Sequence, residues 1–312
     1  MPVMDTLVGL YHFLGDRAPK NVPVVKPKPR KINPFHKDGR ILVAKVKSGE
    51  DLKGALVKAV SLLGGLEKVI ARGDKVLVKP NFNSPDPPPM STDIAFLRSV
   101  TELLLEAGAR VTIGESAGGI WRPTRNVFQK LGAYELAKSL GVELVAFEED
   151  KKGWVKVEID GDYLQSVTMP RLAYEADKLV YLPCMKTHFR GRYSGSMKLA
   201  MGFMHPGERR RMHLSHLEGK IAEISLCWQP DLIIMDGRKA LVTGGPTAGQ
   251  VVKPGIILAS GDLVATDVEA VRIIMSYNAE NRLLPDPWQL PQIFAALKHD
   301  IGAAKDEYIV IE

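Results

Sequence analysis

Residues 177–216 read DKLVYLPCMKTHFRGRYSGSMKLAMGFMHPGERRRMHLSH. The apolar run LVYLP has strand length and composition, and it leads through Cys184-Met185 to Lys186-Thr187-His188. A short Gly/Ser loop, GRYSGS, then feeds into Met197-Lys198-Leu199. A strand that carries a lysine and a histidine to its end, followed by a glycine-rich turn into a helix, is how α/β proteins assemble anion sites. Four of the chain's seven histidines also fall here, so this stretch is the expected functional centre.

Upstream, strands and helices alternate. ILVAKV (41–46) reads as a strand and Glu50 to Leu66 has helical spacing. KVLVKPN (75–81) is a buried strand ending on polar residues. The proline-rich loop NSPDPPPMSTD then offers Ser91, Thr92 and Asp93 as N-caps for a helix from Ile94 to Ala107. RVTIG (110–114) is a strand landing on Glu115-Ser116; a helix from about Thr124 to Ser139 and the strand GVELVAF follow. WVKVEI (154–159) alternates as a surface strand or hairpin would.

This alternation predicts an α/β protein of mostly parallel strands flanked by helices. Ligands in such sheets sit beyond the carboxyl ends of the strands, which selects Lys79, Asn81, Glu115 and Ser116 as site candidates.

The second part echoes the first. DKLVYLPCMK echoes DKVLVK, DLIIMDG echoes RVTIGES, and GIILAS echoes GVELVAF. These echoes suggest two similar halves, 39–175 and 176–312, with the site between them. Residues 1–38 are expected to be an extended basic arm, since APKNVPVVKPKPRKINP is too rich in proline for helix or central strand.

Lys198 should lie in the first turn of a helix, where the dipole disfavours a cation by ~0.3–1 kcal/mol. An anion there would reverse the sign, and the N–H groups of Ser194, Gly195 and Ser196 would bind it. Met197, Met201 and Met204 form a core stripe, and Pro206 should end the helix. Lys186 and His188 share a face of an extended chain, offering a cation and a group that titrates near neutrality. His213 and His216, three apart on one helical face, could join His188 in holding a divalent metal, or could cap and pack instead. Arg209–Arg211 reads either as a solvated face or as a grip on phosphate or carboxylate. Asp236, at a strand end, is the second half's candidate acid, while Asp262 is read as a cap. Cys184 sits in an apolar run and reads as packing. No G-x-S-x-G, Walker A, G-x-G-x-x-G or Cys-x-x-Cys pattern occurs, which removes the commonest hydrolase, NTPase, dinucleotide and ferredoxin readings.

Composition narrows the class. The chain has 312 residues, 45% of them hydrophobic and 25% charged. Two cysteines argue against a disulfide framework and cannot alone hold a four-thiolate iron–sulfur cluster. No apolar run reaches membrane-span length, and MPVMDTLVGLYHFLGD lacks the basic start of a signal peptide, so a cytoplasmic location is expected. The net charge of +6 concentrates in Lys20–Arg40 and Arg209–Arg211. With no helix-turn-helix, zinc-finger or RNP pattern, a small anionic ligand accounts for it better than nucleic acid.

The succession VLVKPN, IGES, LPCMKTH, GSMKLAMG, His213, IMDG, GGP and LASGDLVATD resembles the DUF362 family over roughly Lys75 to Asp267. Its K-P-N, K-T-H, T-G-x-x-K-N and D-G signatures match at Lys79–Asn81, Lys186–His188, Ser194–Lys198 and Asp236–Gly237. Ser194 and Leu199 depart from the usual Thr and Asn, and the ferredoxin-like module of many relatives is absent.

The stretch from His188-Phe189 through Tyr193-Ser194-Gly195 to Lys198 also resembles part of the nickel-pincer lactate racemases. That resemblance implies His188 as acid/base, Lys198 as holder of the pincer cofactor and His213 as nickel ligand. Together these readings anticipate an enzyme. Lys79, Lys186 and Lys198 would bind an anion, His188 would move protons by racemase- or isomerase-like or metal-assisted chemistry, and Asp236 or Glu115 would orient or ligate. The cofactor is left open, with nickel or zinc as the metals considered. The alternative is a non-catalytic metal- or cofactor-binding subunit of a larger assembly, and a homo-oligomer formed through the N-terminal arm is expected.

Overall fold

In the computed structural model, residues 3–312 are described, side chains at 3–6 and 13 excepted. The main sheet has 12 strands. Its principal members are β1 (Arg40–Lys47), β2 (Lys75–Pro80), β3 (Arg110–Glu115), β4 (Glu143–Ala146), β5 (Lys178–Leu182), β6 (Cys184–His188), β7 (Leu232–Leu241), β8 (Ile256–Ser260) and β9 (Tyr308–Ile311). They run in the order β9-β1-β8-β7-β5-β2-β3-β4, with β6 pairing on the far end of β7. Five of the seven neighbour pairs along that path are parallel; β1–β8 and β8–β7 are antiparallel. The α/β architecture of mostly parallel strands is as the alternating pattern predicts.

Continuous apolar strands bury both faces, and successive residues divide between two cores. Val76, Val78, Val180 and Ile234 join one layer, while Leu77, Tyr181, Ile233 and Met235 join the other. The helices Leu52–Leu62 and Ile94–Glu106 cover the first face, and Leu263–Met275 covers the second. Asp93 and Asp262 cap their helices by accepting the N–H of Phe96 and of Ala265. The helical stretch from Thr124 breaks at Gly132, whose φ of 76° is left-handed, giving Thr124–Leu131 and Ala133–Leu140.

The strands that echo one another in sequence occupy mirrored positions. β2 and β5 are adjacent at the middle, β3 and β7 flank them, and β4 and β8 lie outside. The sheet nevertheless crosses the 175/176 boundary without interruption: β2 pairs with β5, and β1 lies between β8 and β9.

The expected extended arm is corrected at its start, because Val3–Gly15 form a helix; residues 1–2 lie outside the described residues. Proline begins to recur only from Pro19 onward, so nothing in the earlier stretch breaks a helix. Beyond it the chain is extended and tied to its own body. Val24–Val25 add a parallel strand to Trp154–Glu158, which forms a three-stranded sheet with Ser166–Pro170. Lys31 pairs with Asp231 at 2.7 Å, and Arg30 donates to the carbonyls of His299 and Asp300. Among the described residues no helix is long and apolar enough to cross a membrane.

Candidate functional site

Pro183 separates two strands that the sequence presents as one run. It cannot donate to the ladder, so the chain leaves the neighbour of β2 and re-pairs as β6 with β7, with a register shift between Cys184 and Lys186. This shift carries Lys186 and His188 past the sheet's carboxyl edge. β6 turns back antiparallel onto Arg192–Ser194, which hands the chain to the short helix Ser196–Leu199. Lys79 and Glu115 arrive at the same edge on the last turns of β2 and β3.

These elements enclose a cleft of about 660 Å³. Lys79, Asn81, Glu115, Ser116, Lys186, His188, Ser194, Lys198 and His213 all line it. So do Arg122, Arg190, Arg209 and Arg210, which among the described residues gives seven cationic side chains against two carboxylates, Glu115 and Asp16. Three lysines and a histidine spread over more than a hundred positions therefore meet in one space.

The two carboxylates are already engaged. Glu115 accepts from the Lys79 ammonium at 2.5 Å and from the N–H groups of Phe82 and Ser116, and both side chains of the ion pair are almost fully buried. Burial lowers the Lys79 pKa, and Glu115 opposes that fall. Asp16 pairs with Arg122.

Lys186, Lys198 and Arg209 have no carboxylate partner among the described residues. Lys186 donates to the carbonyl of Met90 at 2.5 Å. Arg209 donates to the carbonyls of Ser116 and Ala117. Lys198 has no hydrogen-bond or carboxylate partner among the described residues, and burial together with Lys186 and Arg209 pushes its pKa down to about 7. An amine in that environment exists in both protonation states near neutrality.

His188 has a fixed role. Its Nδ1 accepts the N–H groups of Arg190 (3.2 Å) and Gly191 (3.0 Å), so in the neutral ring the proton sits on Nε2. Burial, with Lys198, His213 and Lys186 nearby, pushes its pKa to about 2, which keeps the ring neutral. His188 is thus a hydrogen-bond donor toward the cleft. The expected metal-ligand role fails for it, because neither nitrogen of that tautomer has a free lone pair.

The histidine trio does not form. His213 terminates the helix Pro206–Met212 and His216, with φ 49°, precedes Leu217–Ile224, so the two do not share a helical face. His216 is exposed and stacks on Tyr163 with ring centres 4.4 Å apart. His213 remains in the cleft, its pKa lowered to about 4 by burial and by Lys198, and neither ring nitrogen has a hydrogen-bond partner among the described residues. The only His/carboxylate trio close enough to share an ion, among the described residues, is Asp162, Glu223 and His299, and there the Lys298 ammonium already sits 2.6 Å from Asp162.

The helical stretch from Ser196 stops at Phe203, ahead of Pro206, which starts the next helix because its missing N–H costs nothing at the first position. Two more expectations are corrected. Asp236 does not line the cleft; it is bound by the Arg238 guanidinium at 2.7 and 2.9 Å. The N–H groups at the Lys198 helix do meet an anion, but it belongs to the protein: Asp267 accepts from Ser196 at 2.5 Å and from Met197 at 3.2 Å. A Cβ on Gly195 would lie 2.4 Å from the Asp267 oxygen, so glycine is required for that approach. Gly195 and Ser196 consequently support the site from behind.

Sequence reading missed Arg122 and the buried position of Arg209, and it read Asp267 with Asp262 as an acid of the second half without its partners. The only available signal for Asp267 was its place in SGDLVATD, which specifies a helix but not its partner across the sheet.

Comparison with known proteins places these residues in context. A profile of the family described as "Domain of unknown function (DUF362)" matches residues 76–272. Over 216 residues the chain is 28% identical to the thylakoid-associated protein sll1697 of Synechocystis sp., covering 66% of this chain and 64% of that protein's length. Among solved structures it is similar to the lactate racemase apoprotein from Thermoanaerobacterium thermosaccharolyticum. The TM-score there is 0.41 and the identity 14%, over 76% of this chain and 58% of the other.

Proposed function

This chain belongs to the DUF362 family, and from that premise we propose that its cleft binds a small anionic substrate and catalyses proton transfer on it. One observation carries the reading: Lys79, Lys186, His188 and Lys198 line a single cleft, and Lys186, Lys198 and Arg209 in it have no carboxylate partner among the described residues. Uncompensated cations held out of water cost free energy that an anionic guest recovers. Lys186 and Arg209 hold the anion, and the Nε2–H of His188 donates to an oxygen on which charge develops. Lys198, as its neutral amine, takes the proton. The Lys79–Glu115 pair sets the floor and exchanges nothing.

Calorimetry with inorganic phosphate and with acetate tests the binding step. Wild-type protein takes up at least one of them, and Lys186→Met and Lys198→Met each weaken it about tenfold or more. Equal binding by all three proteins removes the reading. Deuterium entering a bound carbon acid from D2O, lost in Lys198→Met, tests the proton step.

The free ring of His213 favours a second reading, a cleft that carries a metal-bearing cofactor for a larger assembly. Metal analysis of the purified protein separates the two, since that reading requires bound nickel or zinc that His213→Ala loses.

A further inference from the structure

The cleft changes character from floor to mouth. Lys79, Lys186 and His188 are 0%, 2% and 5% exposed at its floor. Three large apolar residues that line the same cleft are open to water: Ile120 at 40%, Phe189 at 58% and Leu214 at 80%. Ile120 lies in the short 3-10 helix Gly119–Trp121 and Phe189 and Leu214 in two separate turns, so no single helix or strand forces them together. The two zones touch directly, because the His188 ring stacks on Phe189 at 5.2 Å with planes 18° apart. The Arg190 guanidinium lies 5.6 Å over the same Phe189 ring and donates to the carbonyl of His213, so charge and apolar surface adjoin at the rim. Singly exposed apolar side chains need no explanation, but three lining one cationic cleft give it apolar surface that a ligand can cover.

We infer that the ligand is an amphiphile, a dianionic head group of the phosphate-monoester kind on an apolar body, with the head among the lysines and the body against Ile120, Phe189 and Leu214. This rests on the anion-binding reading above and names its substrate class. A head of more than one charge matches a floor where Lys186, Lys198 and Arg209 all lack carboxylate partners among the described residues. The apolar body supplies the contacts that inorganic phosphate lacks.

Calorimetry with inorganic phosphate, octyl phosphate below its micelle concentration, and octanol tests it. Octyl phosphate is expected to bind about tenfold or more tightly than phosphate, since burying even two methylene groups gives that factor. Octanol is expected not to bind measurably. Leu214→Ser, at a side chain 80% exposed, should remove much of the octyl advantage and leave phosphate affinity unchanged, and Phe189→Ser should remove more of that advantage. Phosphate bound with no octyl advantage, or an advantage that survives both rim variants, overturns the inference while leaving the anion site standing. Failure of both phosphate and octyl phosphate overturns the anion site itself. Cosedimentation with phosphatidylcholine vesicles containing phosphatidate distinguishes the source: binding that Phe189→Ser weakens identifies a lipid in a bilayer, and its absence alongside tight octyl phosphate binding identifies a free amphiphile.

Discussion

Lys79 and Glu115 meet at 2.5 Å with side chains only 1% and 3% exposed, and among the described residues neither has another charge to turn to within bonding distance. Truncating one member strands the other. Lys79→Met is therefore expected to lower unfolding free energy by ~3–5 kcal/mol, and Lys79→Met with Glu115→Gln by clearly less. Urea denaturation of the two variants measures it. A double variant less stable than the single one would show that the pair is not the unit. Gly202 bears on the same pair, since a Cβ there would sit 2.4 Å from Glu115 Oε1 and 2.6 Å from Lys79 Nζ. Gly202→Ala should weaken phosphate binding and lower stability together.

Asp267 holds the Lys198 helix in place by taking two of its first N–H groups. Asp267→Ala should cost ~1–3 kcal/mol by leaving those donors unsatisfied, and should weaken anion binding although the side chain does not line the cleft. Burial holds the Asp267 pKa up at about 6, above its ordinary 3.8. A raised carboxyl pKa means the folded state binds the proton more tightly, so this contribution to stability is present at low pH and is lost as pH rises from about 4 to about 6. Thermal melts of wild type and Asp267→Asn across that window should converge at its acid end.

Anion affinity should fall as pH rises through about 7, where Lys198 loses its proton. Lys198→Met should bind less tightly and without that inflection. Because the folded pKa lies below the unfolded one, Lys198 also makes the protein more stable as pH rises from about 7 toward 10.5. Phosphate titrations at half-unit pH steps check the first expectation.

His188, His205 and His213 have pKa values pushed to about 2, 4 and 4, chiefly by burial. Unfolding lets them take up protons at their ordinary pKa of 6.5, so stability should be lost as pH falls below 6.5. Two-dimensional 15N NMR should find His188 as the Nε2–H tautomer with no titration between about pH 5 and 9. A protonated Nδ1 would contradict the donor role.

Much of this was legible in the chain. The apolar runs at 75–80, 110–115, 178–182 and 232–241 specify strands because their alternation with helical spacing admits little else, and Asp93 and Asp262 mark helix starts through local chemistry. The lysines at strand ends were readable because a charge after an apolar run has to emerge at the sheet's mouth. Asp236 misled for the same reason: an acid at a strand end looks available until Arg238, two residues on, is seen to bind it. His213 and His216 misled because three-residue spacing assumes an unbroken helix, and the turn between them breaks it.

Local pattern, then, determined the elements, the parallel sheet and the edge at which polar side chains collect, since these depend on periodicity and capping within a few residues. The tertiary structure decided which charges are neutralised. Whether Lys79 finds Glu115, whether Asp267 crosses over to the Ser196 helix, and whether Lys198 is left without a carboxylate depend on distances between residues 36 to 71 positions apart in sequence. Electrostatic energy follows separation and burial in space, which no local pattern along the chain encodes.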